Sequence, residues 1–244
     1  MQQGYQQQPH YQPGAQMGQG PQLHDGVVQF MNGVYAWMAA GVAVTAAVAY
    51  GISQSPQALL TFFSPYGGMT ILGWVAMFAP LGILLIFGGR LMSMSRGAAT
   101  AIFMLLAVCY GVTFSLVPLL FSVGAIFKAF LATMGMFGAM AAFGYFTKKD
   151  LSGIGQFLLM ALFGIIIASL VNVFFVKSVG MHMAIDVLVV LVFAGLTAYD
   201  TQKLKQIYLV HGAVGNIAIV GALNLYIDFI AMFRALLHLM SSGE

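Results

Sequence analysis

The sequence predicts an all-α integral membrane protein with seven transmembrane helices. Of its 244 residues, 61% are hydrophobic and only 6% are charged, whereas a soluble globular domain carries about 25% charged residues. So few charges cannot cover a water-facing surface, and the mean hydropathy of +0.93 agrees with a membrane protein. Seven continuous apolar runs follow one another, each close to the roughly 20 residues that a helix needs to cross the hydrocarbon core. Continuous hydrophobicity, rather than alternation, favours helices over a β-barrel.

The first 26 residues are predicted to form a disordered tail, which precedes a membrane domain over residues 27–244. The tail is rich in Gln, Gly and Pro, and such a composition buries too little apolar surface to fold. It has neither the basic start nor the apolar core of a signal peptide. The apolar runs cover residues 33–52, 69–89, 97–121, 125–146, 151–176, 184–201 and 217–239. Pro80 and Pro118 lie in the second and third runs, where a membrane helix tolerates a kink.

The distribution of Lys and Arg between the connections predicts the orientation in the membrane. Three connections, after the second, fourth and sixth runs, hold six basic residues: Arg90, Arg96, Lys148, Lys149, Lys203 and Lys205. The connections on the opposite side hold two, Lys128 and Lys177. Because basic residues collect on the cytoplasmic side, we expect a cytoplasmic amino terminus. Seven crossings then place the carboxyl terminus outside, unless the last segment is re-entrant.

An aspartate in the middle of the last apolar run, Asp228 in NLYIDFIAMF, needs a specific explanation. It lies about eleven residues from either end of the run, or roughly 16 Å deep at 1.5 Å per residue. A lipid-facing carboxylate there would cost about 2.5–3.5 kcal/mol or more, so Asp228 is expected to face the bundle interior. One small, polar helix face carries it, formed by Gly221, Asn224, Asp228, Ala231 and Ala235.

Asp200, which closes the sixth run in GLTAYDTQKLK, is the expected partner of Asp228. It belongs to a helix face formed by Asp186, Val190, Phe193, Thr197 and Asp200. The short connection between the last two runs lets the two aspartates face each other in the cytoplasmic half. Two carboxylates in a low dielectric share one proton, and raising the pH removes that proton. The two helices then repel each other locally, or the pair recruits a cation. Ca²⁺ would fit if carbonyl groups or water completed its oxygen ligands.

Three basic residues near these aspartates leave alternatives open. Lys203 can form a simple surface ion pair with Asp200. Arg90, at the end of the second run, is either a snorkelling anchor at the membrane surface or a guanidinium that captures one carboxylate. Arg234, in the last run, is expected to be an interfacial residue.

Three motifs resemble the Bax inhibitor-1 family, also called the transmembrane Bax inhibitor motif family. They are KKDLS at 148–152, YDTQKLK at 199–205 and ALNLYIDFIAMFRALL at 222–237, and the resemblance extends over residues 27–240. It implies two groups of three helices around a central last helix, and a pH-sensitive calcium leak in a prokaryotic inner membrane.

The resemblance also implies roles for individual residues. In prokaryotic members the pH response is attributed to positions that match Asp200, Asp228 and Arg90. From the helix faces described above, Asn224, Thr197 and Asp186 are candidate neighbours of the cation path, and Asp200 and Asp228 are the candidate Ca²⁺ ligands. Asn224 stands where some relatives carry a further aspartate. Calcium selectivity is therefore implied less strongly than the pH response.

An enzyme, a proton-coupled transporter and an interaction protein are the alternatives to a leak. The sequence has no His-Glu-x-x-His pair and no Gly-x-Ser-x-Gly turn, so we expect no enzyme. No ligand spacing relates the five histidines, which are His10, His24, His182, His211 and His238, and no cofactor is expected besides calcium as a transported or bound ion.

Intramembrane aspartates also serve proton-coupled transporters. The resemblance further implies a protein that modulates a membrane protease or death-regulating partners. The expected partners are lipid, Ca²⁺, protons and a membrane protein, but not nucleic acid.

Overall fold

The computed structural model describes residues 19–213 and 215–241, and it is dominated by helices. These are α1 (Gln19–Ser53), α2 (Pro56–Phe62), α3 (Ile71–Phe87), α4 (Arg96–Thr113), α5 (Val117–Leu120), α6 (Val123–Phe146), α7 (Ser152–Val171), α8 (Val179–His211) and α9 (Ile217–Ser241). Single turns extend three of them, namely the 3-10 segments Gly88–Arg90 and Phe114–Leu116 and the π-helical turn Asn172–Val176. Seven of the described helical segments are long and apolar enough to cross a membrane, which confirms the predicted fold class.

The first helix begins earlier than the predicted edge of the membrane domain. α1 starts at Gln19, within the predicted tail, and its apolar span starts at Asp25. Pro21 does not prevent this start, because proline is tolerated in the first turn of a helix. Residues 1–18 of the predicted tail lie outside the described residues.

The sixth membrane helix, α8, is much longer than the apolar run that predicts it. It has 33 residues and begins after Ser178, whose hydroxyl accepts a hydrogen bond from the Met181 N–H at 3.4 Å. Beyond Asp200 the helix continues with Leu204 buried and Lys203 exposed, so this part is amphipathic. The helix ends where Gly212 adopts a φ of +69°. Asp200 therefore closes the apolar run but not the helix, which continues past it.

The last helix, α9, is the centre of the bundle. Of its apolar stretch, 61% is buried, against 11–44% for the other six spans. It contacts α1, α4, α6 and α8, while α3 packs on α4 and α7 packs on α8. The expected arrangement of two helix groups around a central last helix is confirmed.

An aromatic side chain on α9 ties this central helix to α1 and α4. Tyr226 is fully buried, and its hydroxyl lies 2.6 Å from the Thr45 hydroxyl of α1. Its ring packs edge-on against Phe103 and Tyr110 of α4 at centroid distances of 5.4 and 5.9 Å. These contacts hold α9 in a fixed rotation about its own axis, which determines where its polar face points.

The crossing of α6 and α8 requires a glycine. A Cβ atom added at Gly144 would collide with the backbone carbonyl of Ala198, which cannot move without bending α8. A Cβ atom at Gly135, on the same helix, would have no neighbour within 4 Å. Gly144 therefore positions the segment of α8 that carries Thr197 and Asp200.

We expect Gly144→Ala to destabilise the bundle by about 1–3 kcal/mol, the usual cost of overpacking. The matched control is Gly135→Ala, which should leave stability unchanged or slightly higher because alanine favours a helix. Thermal unfolding of both variants in detergent measures the difference. Equal unfolding temperatures would contradict the close approach of α6 and α8.

Candidate functional site

The polar face of α9 points at α8, as the sequence periodicity predicts. Asp228 is only 4% exposed, and within the described part of the chain its Oδ2 atom has no hydrogen-bond partner. The Thr197 hydroxyl and the Asp200 carboxylate of α8 are its polar neighbours. A buried carboxylate that keeps an unpartnered oxygen loses hydration without full compensation, so this arrangement calls for a proton or a cation.

The Thr197 hydroxyl is one of two polar groups of α8 beside Asp228. The Thr197 hydroxyl is fully buried and donates to the Phe193 carbonyl at 2.8 Å. While the hydroxyl donates to Phe193, its oxygen can accept a hydrogen bond from a protonated Asp228, and after rotation it can donate to a charged Asp228. Thr197 therefore offers a hydrogen-bond partner to either form of the carboxyl group.

Asp200 occupies a more open place than Asp228. It is half-buried and lines a cavity of about 210 Å³, together with Lys203, Gly221 and Asn224. Its charged neighbour is Lys203. Because Asn224 lies one helical turn from Asp228, the cavity leads toward Asp228 without including it in its lining.

The structure does not pair Arg90 with either aspartate. Arg90 is exposed at the end of the 3-10 turn Gly88–Arg90, and among the described residues it forms no ion pair with Asp200 or Asp228. Its segment nevertheless reaches the site, since Met92 lines the Asp200 cavity. The Asn216 side chain holds this segment by donating to the carbonyls of Leu91 at 3.0 Å and Met94 at 2.7 Å.

Beyond Asp228, toward the carboxyl-terminal end of α9, the interior is aromatic. Phe229 packs edge-on against Phe130 and Phe137, and Phe233 packs against Phe114. A cavity of about 320 Å³ lies beside these rings, and its lining is almost entirely apolar. This region offers no polar surface that would continue the Asp200 cavity, so the polar path ends at Asp228.

A second polar cluster lies near the other end of α8 and α9. Asp186 is fully buried, and its Oδ2 atom lies 3.0 Å from Nδ1 of His182 and 2.6 Å from Nδ1 of His238. A guanidinium nitrogen of Arg234 lies 3.9 Å from the other carboxylate oxygen, Oδ1. Asp186 is 14 residues from Asp200, or about 21 Å along the helix. Asp186 is therefore not part of the group formed by Asp200, Asp228, Thr197 and Asn224.

The structure brings together two histidines that no ligand spacing in the sequence relates. His182 and His238 have ring centroids 4.4 Å apart, although 56 residues separate them. One signal was available, because His182 and Asp186 stand four residues apart and share a helix face. The contribution of His238 could not be found without knowing how α8 and α9 align.

Comparison with known proteins identifies relatives over most of the chain. The family model described as "Inhibitor of apoptosis-promoting Bax1" matches residues 27–244. The chain is 38% identical over 222 residues to the inner membrane protein YbhL of Escherichia coli K12, an alignment that covers 89% of this chain and 93% of YbhL.

Two further relatives are similar over nearly their whole length. An uncharacterized protein of Caulobacter vibrioides is 40% identical, with 87% of this chain and 88% of the relative covered. An uncharacterized protein of Deinococcus radiodurans is also 40% identical, with 90% of this chain and 93% of the relative covered.

Proposed function

The chain belongs to the Bax inhibitor family and is a multi-pass membrane protein, and we propose that it is a pH-sensitive cation leak gated by Asp200 and Asp228. The observation that carries the proposal is the burial of Asp228 with an unpartnered oxygen, next to a second carboxylate. A charged carboxylate in that position lacks a counter-ion, so it responds strongly to protons and cations.

The proposed gate works through the number of protons that the pair holds. With a proton on Asp228, the carboxyl group can donate a hydrogen bond to Thr197, and α8 and α9 remain together. Loss of the proton leaves two negative charges close together in a low dielectric, which favours separation of the helices or entry of a cation. The cation enters from the cavity that Asp200 and Asn224 line.

Calcium is the proposed conducted ion, because the path offers oxygen atoms. The carboxylates of Asp200 and Asp228, the amide of Asn224 and the hydroxyl of Thr197 are the hard ligands that Ca²⁺ prefers. Asn224 is neutral, which lowers the charge available to hold a divalent ion and suits passage better than tight binding. We propose no catalytic role, and no cofactor for the leak itself.

We further propose that the chain lies in a prokaryotic inner membrane with its amino terminus in the cytoplasm. The excess of Lys and Arg in three connections supports this orientation. The name of the Escherichia coli relative as an inner membrane protein supports the compartment. In this orientation the Asp200 cavity faces the cytoplasm.

The gate predicts a specific result in liposomes that contain the purified protein and a calcium indicator. Ca²⁺ flux should rise as the pH is raised, because the pair loses its proton. Asp228→Asn and Asp200→Asn should each reduce the flux at alkaline pH at least ten-fold, because an amide cannot ionise. Asp150→Asn is the matched control, since that carboxylate is exposed in the connection between α6 and α7.

The same assay separates the leak from the other function classes. A leak gives a flux set by the gradient and the pH, whereas a proton-coupled transporter gives saturable exchange. If wild-type protein gives no flux, or if the pH response survives both substitutions, the dicarboxylate gate is wrong. Partner binding that is unaffected by both substitutions would then favour an interaction protein.

Arg90 is proposed to exchange with Lys203 as the partner of Asp200 when the pair ionises. Arg90→Gln should therefore change the pH at which flux reaches half its maximum, while thermal unfolding stays unchanged. Arg96→Gln, a second exposed arginine of the same connection, should leave that pH unaltered. An unchanged pH response in Arg90→Gln would return Arg90 to the role of a membrane-surface anchor.

The orientation is tested by cysteine labelling in intact cells. In a Cys109→Ser background, Tyr66→Cys should react with a membrane-impermeant maleimide, because residue 66 is 97% exposed in the connection between α2 and α3. Ser93→Cys, in the connection after α3, should react only after permeabilisation. The reverse pattern would contradict a cytoplasmic amino terminus.

A further inference from the structure

Three side chains from α8 and α9 converge at the end of the bundle opposite Asp200. One nitrogen of His182, one nitrogen of His238 and a carboxylate oxygen of Asp186 all lie within 4.8 Å of one another. We propose that these residues bind a divalent transition-metal ion, with Zn²⁺ as the best match. The proposal goes beyond the cation leak and does not depend on it.

The donor set decides which class of ion fits. Two imidazole nitrogens and one carboxylate oxygen are ligands of Zn²⁺ and of neighbouring transition metals. Ca²⁺ and Mg²⁺ prefer sets made of oxygen alone. Three protein ligands leave a fourth tetrahedral position for water or another small ligand.

The spacing of the donor atoms is close to that of a zinc site. Zinc–ligand distances of about 2.0–2.2 Å place two ligands of a tetrahedron about 3.3 Å apart. The two histidine nitrogens lie 3.0 and 2.6 Å from Oδ2 of Asp186. Admitting the ion therefore requires these two nitrogen–oxygen separations to grow by less than about 1 Å. The two nitrogens, which lie within 4.8 Å of each other, must also settle about 3.3 Å apart, and side-chain rotations can supply both changes.

The bonding of Asp186 leaves capacity for a ligand. The residue is fully buried, yet its Oδ1 atom has no hydrogen-bond partner within the described residues. The Arg234 nitrogen, at 3.9 Å, is beyond hydrogen-bond distance. The Arg234 side chain is 52% exposed, so its charge can turn into water when a metal ion is bound.

A cavity gives the cluster access to solvent. It has a volume of about 230 Å³, and its lining includes both histidines together with Asn172, Lys177 and Ser178. The Asn172 side chain holds this wall, because it donates to the Ser178 carbonyl at 3.2 Å and accepts from the Ser178 N–H at 3.0 Å. The wall contains the π-helical turn Asn172–Val176, and such turns are frequent at functional sites.

The test is zinc binding to the purified full-length chain, prepared in detergent on a tag without histidine. After treatment with a chelator, the protein is dialysed against Zn²⁺, and the bound metal is counted by mass spectrometry. Competition with a chromophoric chelator gives the affinity. His182→Ala, His238→Ala and Asp186→Asn are compared with His211→Ala, a control at the opposite end of α8.

We expect one Zn²⁺ per chain, an affinity at least ten-fold lower in the three cluster variants, and no change in His211→Ala. An excess of Ca²⁺ or Mg²⁺ should not displace the zinc, and Co²⁺ should give the absorption of a tetrahedral site. Because the His182 side chain is 42% exposed, His182→Ala keeps the test valid if Asp186→Asn fails to fold. Zinc binding equal in wild type and His182→Ala would overturn the proposal, even if that variant unfolds at a lower temperature.

Discussion

The constraint on which this structure depends is a carboxylate buried in the central helix of a membrane bundle. Asp228 lies on α9, the most buried of the seven spans, and its position excludes both lipid and bulk water. A carboxylate there must be neutralised by a proton or matched by a cation. Thr197 and Asp200 of α8 face it. Thr197 can accept a hydrogen bond from a protonated Asp228, and the cavity beside Asp200 gives a cation a route toward the charged form.

The packing of α8 against α9 distributes polar groups to two separate places. Near one end, Asp200 and Asp228 bring two acids together, with Lys203 as the nearby cation. Near the other end, Asp186 meets two histidines and an arginine. The apolar cavity and the phenylalanine rings on α9 lie between the first group and that end. The two groups therefore have different chemistry, oxygen ligands in one and mixed nitrogen and oxygen ligands in the other.

Much of this arrangement follows from the sequence, because a bilayer permits few solutions. Apolar runs of sufficient length predict the seven spans, and the helical period predicts that Asp228 and Asn224 share a face toward the interior. Hydropathy could not predict the length of α8 beyond Asp200. It detects continuous apolar runs, whereas this last part of the helix is amphipathic and contains charged residues. The approach of His238 to Asp186 depends on the register of α8 against α9, which the close contact of Gly221 with Leu204 helps to fix. Periodicity within one helix holds no information about that register.

The central claim is that Asp228 holds a proton that it loses as the gate opens. Infrared spectroscopy tests this directly, with the protein labelled by ¹³C at its aspartate carboxyl groups and reconstituted in liposomes. We expect a protonated-carboxyl band that disappears over the same pH range in which Ca²⁺ flux rises, and that is absent from Asp228→Asn. A band that is identical in wild type and Asp228→Asn, or that does not change across that pH range, would contradict it.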